Sequence, residues 1–266
     1  MTDLPVRWPA VAGQFYPGDP TALRRMVDGF LEDADLPADL GTVAAVVAPH
    51  AGYIYSGPTA AYAFRALATL PARMRTVFLL GPAHHVPFDG VALGRFSAFS
   101  TPLGDVPVAR ERVERLLAED GLYIRDPGAH APEHCLEVQL PFLQVTLAQF
   151  DIVPMLFGRV DPGRVAASLV DRLGEDDLVV VSTDLSHYYG YDAARRLDRQ
   201  LLEGLLAGRR DVVLAGEACG RAPLATLMDV AQAAGWRSQV LDYRTSGDTA
   251  GDRQQVVGYA AVAYTA

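Results

Sequence analysis

The chain has 266 residues, half of them apolar, enough to bury the core of one large α/β domain. Its formal net charge of -9 argues against a broad nucleic-acid surface, which would need cations to displace counterions from phosphates. All 23 basic residues are arginine, so a Schiff-base lysine mechanism is ruled out.

No apolar stretch reaches the roughly 18 residues needed to span a bilayer, and the N-terminus lacks a basic segment followed by an apolar one. The expectation is a soluble, cytoplasmic protein with neither a membrane nor a nucleic acid as partner. Two cysteines, Cys135 and Cys219, are too few for a disulfide scaffold, and the expected compartment favours two free thiols.

In chain order, the first forty residues hold Pro5, Pro9, Pro17 and Pro20, then a helix expected over residues 21–33 with Asp19 or Thr21 as its N-cap. The run VAAVVA reads as a buried strand, followed by a glycine-containing loop to Gly57 and a helical stretch TAAYAFRAL. A second strand, TVFLLG, precedes a long loop through Pro82 and Pro87, short strand candidates near VALGRF, and the helix ARERVERLLAED. In PEHCLEVQLPFLQVTL, Leu136, Leu140 and Leu143 recur at helical spacing, with Pro141 marking a kink or a new turn. Strand DIVPMLF, helix VAASLVDRL and strand LVVVS follow, then two helical stretches flanking Cys219 and closing strands near QVLDYRTS and VVGYAAVAYT. Such alternation predicts a single α/β domain, residues 1–266, with a mainly parallel central sheet flanked by helices.

Histidine placement points to chemistry. His50 ends VAAVVAPH, His84 and His85 end TVFLLGPAHH, and His187 ends LVVVSTDLSH, so three buried-strand patterns stop in loops carrying imidazole. Ligands of open α/β sheets bind beyond the carboxyl ends of strands, and convergent imidazoles there suggest a metal centre. Adjacent imidazoles in GPAHH allow one to bind a metal while the other meets substrate or orients a ligand. Asp184 would orient an imidazole or bind substrate, and His187 would act as a ligand or an acid/base group. Cys219, bounded by Gly220 and Pro223, sits at a helix terminus or tight turn, either as a soft ligand or as a small buried hydrophobe. Glu133, His134 and Glu137 form another polar cluster; on a helix His134 and Glu137 would share a face that lines the site or only meets solvent. Tyr53, Tyr55, Phe88, Tyr188 and Tyr189 are candidates for an aromatic wall.

Six ordered segments, AGQFYPGDP, APHAGYIYSG, GPAHH, EHCLEVQLPFL, STDLSHYYG and CGRAP, together resemble the Memo family, protein B of the AmmeMemoRadiSam system, over nearly the whole chain. That family is similar in structure to class III extradiol dioxygenases, non-haem iron enzymes that open catechol rings, so the resemblance implies an α/β fold with a metal cleft. Carried onto this sequence, it implies His50, His84 and Cys219 as metal ligands, with His187 beside the metal at the position of a catalytic histidine. Cys219 replaces a carboxylate of the dioxygenase pattern, and a thiolate favours copper or zinc where the relatives use iron. Cys135 stands where the family commonly has serine.

The resemblance therefore implies a copper- or iron-dependent redox enzyme of unknown substrate, zinc being the third compatible metal. The alternative is a non-catalytic module that binds a peptide or protein in the same cleft. Hydrolysis by zinc-activated water ranks lower. The system name also implies a radical S-adenosylmethionine enzyme as partner, since the chain has no CxxxCxxC motif of its own.

Overall fold

The computed structural model describes residues 4–119 and 121–266. Strand β1 (Val6–Arg7) leads to helix α1 (Pro20–Glu32), which starts where the Asp19 carboxylate accepts the Ala22 N–H at 2.8 Å. Pro20 occupies the first turn, where a missing N–H costs nothing, and Leu23, Val27 and Leu31 bury one face of the helix.

Strand β2 (Val43–Ala48) is followed by α2 (Tyr53–Leu67), which starts at Tyr53 rather than after Gly57. Gly57 is a packing glycine: a Cβ there would run into the Phe30 ring of α1. Next come β3 (Met74–Pro82), β4 (Val91–Leu93), β5 (Ala98–Thr101), β6 (Gly104–Pro107), α3 (Arg110–Leu117), β7 (Tyr123–Arg125) and the short α4 (Pro127–His130). The segment around Pro141 divides as its proline suggested: a 3-10 turn, Glu137–Gln139, gives way to α5 (Leu140–Thr146), with Pro141 in its first turn. The chain continues through β8 (Gln149–Phe157), α6 (Pro162–Val170), β9 (Asp177–Ser182), β10 (His187–Tyr189), α7 (Tyr191–Leu206), α8 (Arg210–Ala215) and α9 (Arg221–Ala234). It closes with β11 (Arg237–Thr245), α10 (Ser246–Thr249) and β12 (Val256–Thr265).

The large sheet runs β10-β12-β2-β9-β3-β8-β4-β7, with β11 also paired to β12. Its middle, β2-β9-β3-β8, is parallel, while β12 adds to β2 and β4 adds to β8 in antiparallel fashion. Parallel pairing explains the near-continuous apolar runs of these strands, since both faces are covered. All six residues of β9 are buried. Helices α1, α2 and α5 pack together, with α2 on β2 and β12; α6, α8 and α9 form another group, with α9 on β3 and β9. A separate three-stranded sheet, β1-β5-β6, lies outside this path.

Among the described residues, no helix is long and apolar enough to cross a membrane. Both cysteines are free, Cys135 buried and Cys219 half-buried.

Candidate metal centre

Neighbouring strands β2, β9 and β3 end side by side, so the loops leaving them deliver His50, then Asp184 and His187, then His84 to one place. Cys219 arrives from the turn before α9, held by a main-chain bond from its N–H to the Asp184 carbonyl at 3.3 Å. Gly220 permits this approach: its N–H donates to Thr183 Oγ1 at 2.8 Å, and a Cβ there would strike the Thr183 side chain at 2.6 Å. The candidate ligand atoms of His50, His84 and Cys219 all lie within 4.8 Å of one another.

Each imidazole is oriented from behind. Ser182 Oγ donates its hydrogen to the Cys135 carbonyl at 2.6 Å and accepts from Gln139 Nε2 at 2.8 Å. His50 Nδ1, 2.9 Å from the same oxygen, therefore carries a hydrogen and donates it, leaving the Nε2 lone pair free. That Nε2 stands 3.4 Å from Cys219 Sγ. A nitrogen and a sulfur on one tetrahedral ion, with bonds of about 2.05 and 2.3 Å, would be about 3.5 Å apart.

His84 is turned by Glu133, whose Oε1 lies 2.9 Å from Nδ1 while Oε2 accepts the His84 main-chain N–H at 2.6 Å. Such carboxylate-to-imidazole contacts fix the tautomer that presents Nε2 to a metal. Burial alone would depress His84, yet its hydrogen bonds to Cys219 and Glu133 outweigh burial and push it up to about 10. Burial opposes ionisation of Glu133 as well, but its bond to His84 and the nearby main-chain N–H groups hold it well below the usual carboxylate range. A position between sulfur and carboxylate that favours a proton so strongly also favours a metal cation. The donor set and spacing thus fit a bound ion, with His50, His84 and Cys219 as the residues that would hold it.

A cleft of about 1000 Å³ opens above these groups, lined by His50, His84, His134, Asp184 and His187 and walled by Phe15, Tyr16, Tyr53, Tyr55, Tyr188 and Tyr259. Burial lowers His187 and holds His134 near 4, so both are neutral near pH 7. Asp184 is buried and spends Oδ1 on the His50 main-chain N–H at 2.7 Å, so it fixes the His50 loop rather than the imidazole. Burial, opposed by that bond, leaves its carboxyl raised to about 7.

Other expectations resolve differently. His134 and Glu137 share no helical face, because His134 precedes the 3-10 turn and its ring stacks on His84 at 5.0 Å. Glu137 is fully buried behind the cleft wall, pairing with Arg7 and accepting from Tyr16 Oη at 2.6 Å, Ala10 N–H at 2.6 Å and Val11 N–H at 3.0 Å. It therefore anchors the segment through Tyr16 against the cleft instead of lining it. His85 is exposed at the margin, 6.0 Å from the His134 ring. Of the aromatic candidates, Phe88 lines a different hollow and Tyr189 points outside the main cleft lining. Cys135 is buried, its Sγ donating to the Pro82 carbonyl at 3.1 Å, and burial pushes that thiol up. Glu133, read from sequence only as part of a polar cluster, is the residue that sequence reasoning undervalued. Glu133 also joins His84 and His134 in a second group of donor atoms within 4.8 Å.

The chain is similar to proteins described as MEMO1 family proteins from archaea. It is 38% identical to one from Methanopyrus kandleri over 97% of this chain and 98% of that protein. It is 37% identical to one from Methanothermobacter thermautotrophicus over 96% and 99%, and 36% identical to one from Sulfolobus acidocaldarius over 97% and 99%. Among solved structures it resembles an uncharacterized protein from Escherichia coli K12, with a TM-score of 0.55 and 14% identity over 84% of this chain and all of that one, a likeness of fold alone. The family described as Memo-like protein matches residues 7–263, and the chain belongs to that family.

Proposed function

We propose that this protein is a metal-dependent oxidoreductase, with His50 and His84, which line the cleft, and Cys219, which reaches them from the neighbouring hollow, holding copper or iron between them. The observation that carries this reading is the convergence of two oriented imidazoles and a thiol at ligand spacing beneath an aromatic-walled cavity. When bound, such an ion supplies one-electron exchange and Lewis acidity. His187, held neutral by burial, takes a proton from a hydroxyl or similar group of a ligand in the cleft and returns it later. Asp184 keeps His50 in place through its main chain, and Glu133 keeps His84 turned toward the ion. Tyr53, its hydroxyl donated to the Val138 carbonyl at 2.6 Å, forms a fixed wall. A cytoplasmic setting, which keeps both thiols reduced, and a radical S-adenosylmethionine enzyme as partner belong to the same reading.

The test is metal content of protein purified without added metal, followed by oxygen consumption with copper- or iron-loaded protein, reductant and a panel of small phenols and amines. Turnover above a His187→Ala control supports the reading; stoichiometric metal with no turnover on any of these removes it. The second reading, a peptide-binding module, is favoured by the exposure of Ile54, Tyr55 and Tyr188 at the mouth of the cleft. Binding of a peptide that metal-site variants leave unchanged, without turnover, would select it.

A further inference from the structure

We infer that the Thr183 hydroxyl and the Asp184 main-chain N–H clamp the Cys219 sulfur and so favour the reduced form of the ion held there, with Thr183 as the positioning residue. This rests on His50, His84 and Cys219 being the metal ligands, and it deepens that reading by naming the oxidation state the site is built to keep.

Three consecutive residues at the end of β9 divide their work by strand alternation, since successive side chains of an extended chain leave opposite faces. Thr183 continues the ladder beyond β9, its N–H donating to the Ala48 carbonyl at 2.9 Å. On either side of it, Ser182 and Asp184 both turn to His50: Ser182 Oγ lies 2.9 Å from Nδ1, and Asp184 Oδ1 accepts the His50 main-chain N–H at 2.7 Å. Thr183, 1% exposed, turns the other way, to Cys219 and Gly220. One tripeptide thus sets two ligands that are 169 residues apart in the chain.

The Asp184 N–H donates to Cys219 Sγ at 3.3 Å, and Thr183 Oγ1 stands 3.5 Å from the same sulfur. Thr183 Oγ1 also accepts the Gly220 N–H at 2.8 Å, while the Asp184 carbonyl accepts the Cys219 N–H at 3.3 Å, so the turn carrying the sulfur is tied before and after its side chain. A metal-bound cysteine is a thiolate, which accepts hydrogen bonds and donates none. The Thr183 hydrogen has two acceptors in reach, the Asp184 carbonyl at 2.8 Å and Sγ, and the negative charge of a thiolate favours the sulfur. Hydrogen bonds to a ligating sulfur draw electron density away from the metal and tune its potential. Reduction leaves more negative charge on the sulfur, so both donors stabilise the reduced ion more than the oxidised one.

Two measurements decide. Wild-type protein labelled for amide NMR and loaded with a spin-active cadmium isotope is expected to show a scalar coupling between the ion and the Asp184 amide proton, carried through the hydrogen bond to Sγ. Voltammetry of copper-loaded protein then compares wild type with Thr183→Val and Thr183→Ser. Thr183→Val is expected to lower the ratio of Cu(I) to Cu(II) affinity about tenfold, a potential about 59 mV lower for one electron. Thr183→Ser, which keeps the hydroxyl and loses the methyl, is expected to stay near wild type. A residue that only packed against Gly220 would give the opposite order, because valine keeps the shape and serine does not. No coupling at Asp184 in cadmium-bound protein, or a Thr183→Val potential equal to or above that of wild type, overturns the inference; should Thr183→Val not fold, the wild-type coupling decides alone. Failure to bind either ion removes the metal reading and this inference with it. Coupling and potential shift without oxygen turnover would sink only the redox reading, and turnover without them only this one.

Discussion

Glu133 Oε1 lies 2.9 Å from Nδ1 of His84, forty-nine residues earlier in the chain, and this one contact decides which nitrogen of His84 faces Cys219 and His50. The carboxylate does more than orient the ring. It also collects the main-chain N–H groups of His134 and Cys135, at 2.9 and 3.1 Å, so loop and ligand are fixed together.

Replacing Glu133 by Gln keeps the size of the group but removes its charge. Metal affinity should fall by roughly 10- to 100-fold, the range typical of lost outer carboxylates. Competition titration against a chromophoric chelator checks this, with Glu133→Gln compared to wild type at one pH. Unchanged affinity would show that His84 needs no charged partner.

Cys219→Ser tests the thiolate itself. A hydroxyl is a harder, weaker donor, so the variant should lose copper or zinc preferentially and bind soft ions about tenfold or more less tightly. Metal analysis of the two proteins purified side by side is the measurement. Identical content would remove Cys219 from the set of ligands.

The Arg7–Glu137 pair predicts a stability effect without a metal effect. Glu137→Ala strands a buried guanidinium and also orphans the Ala10 and Val11 N–H groups and the Tyr16 hydroxyl. Loss of about 3–5 kcal/mol is expected in urea unfolding. An Arg7→Met/Glu137→Leu double variant should recover only part of this, since the main-chain donors stay unsatisfied.

His130 sets an acid limit on stability. Buried with Nε2 3.1 Å from the Ala92 carbonyl and its ring near Phe96 and Phe99, it is lowered to about 4, chiefly by burial. In the unfolded chain the same group takes up a proton near its ordinary value of 6.5, so between these values the unfolded state binds more protons. Its contribution is therefore complete above pH 6.5 and is lost as pH falls toward 4, by up to about 3 kcal/mol. Urea midpoints across pH 4 to 7 measure the slope, and His130→Gln should flatten that share of it. A slope of opposite sign would contradict a neutral buried His130.

The parallel core was legible because VAAVVA, TVFLLG and LVVVS are covered on both faces and leave a continuous apolar signature. Strands β1, β5, β6 and β10, two to four residues each, carry too few residues for a period to emerge. The start of α2 was hidden by Gly57, which reads as loop but serves packing. His50, His84 and His187 were visible as strand-end histidines, whereas Cys219 was visible as a turn cysteine, soft ligand or small buried hydrophobe, and only the family resemblance implied a ligand, since no spacing rule decides between the two. Glu133 and Glu137 look alike in sequence, four residues apart. Their different work depends on His84 and Arg7, partners far away in the chain, and pattern reading within one segment has no access to them.

The cleft wall through Tyr16 is clamped by Glu137, and that clamp has a consequence for how the molecule comes into being. Glu137 lies 121 residues from Tyr16, Asp184 lies 134 from His50, and Cys219 lies 169 from His50. During synthesis the first histidines leave the ribosome long before the groups that orient them, and loop closure of this length is slow to be rewarded. An ion meeting a half-made chain finds scattered imidazoles and no cage. Capture of metal at full affinity would thus mark the end of folding, making the ion a chemical witness that the chain has closed.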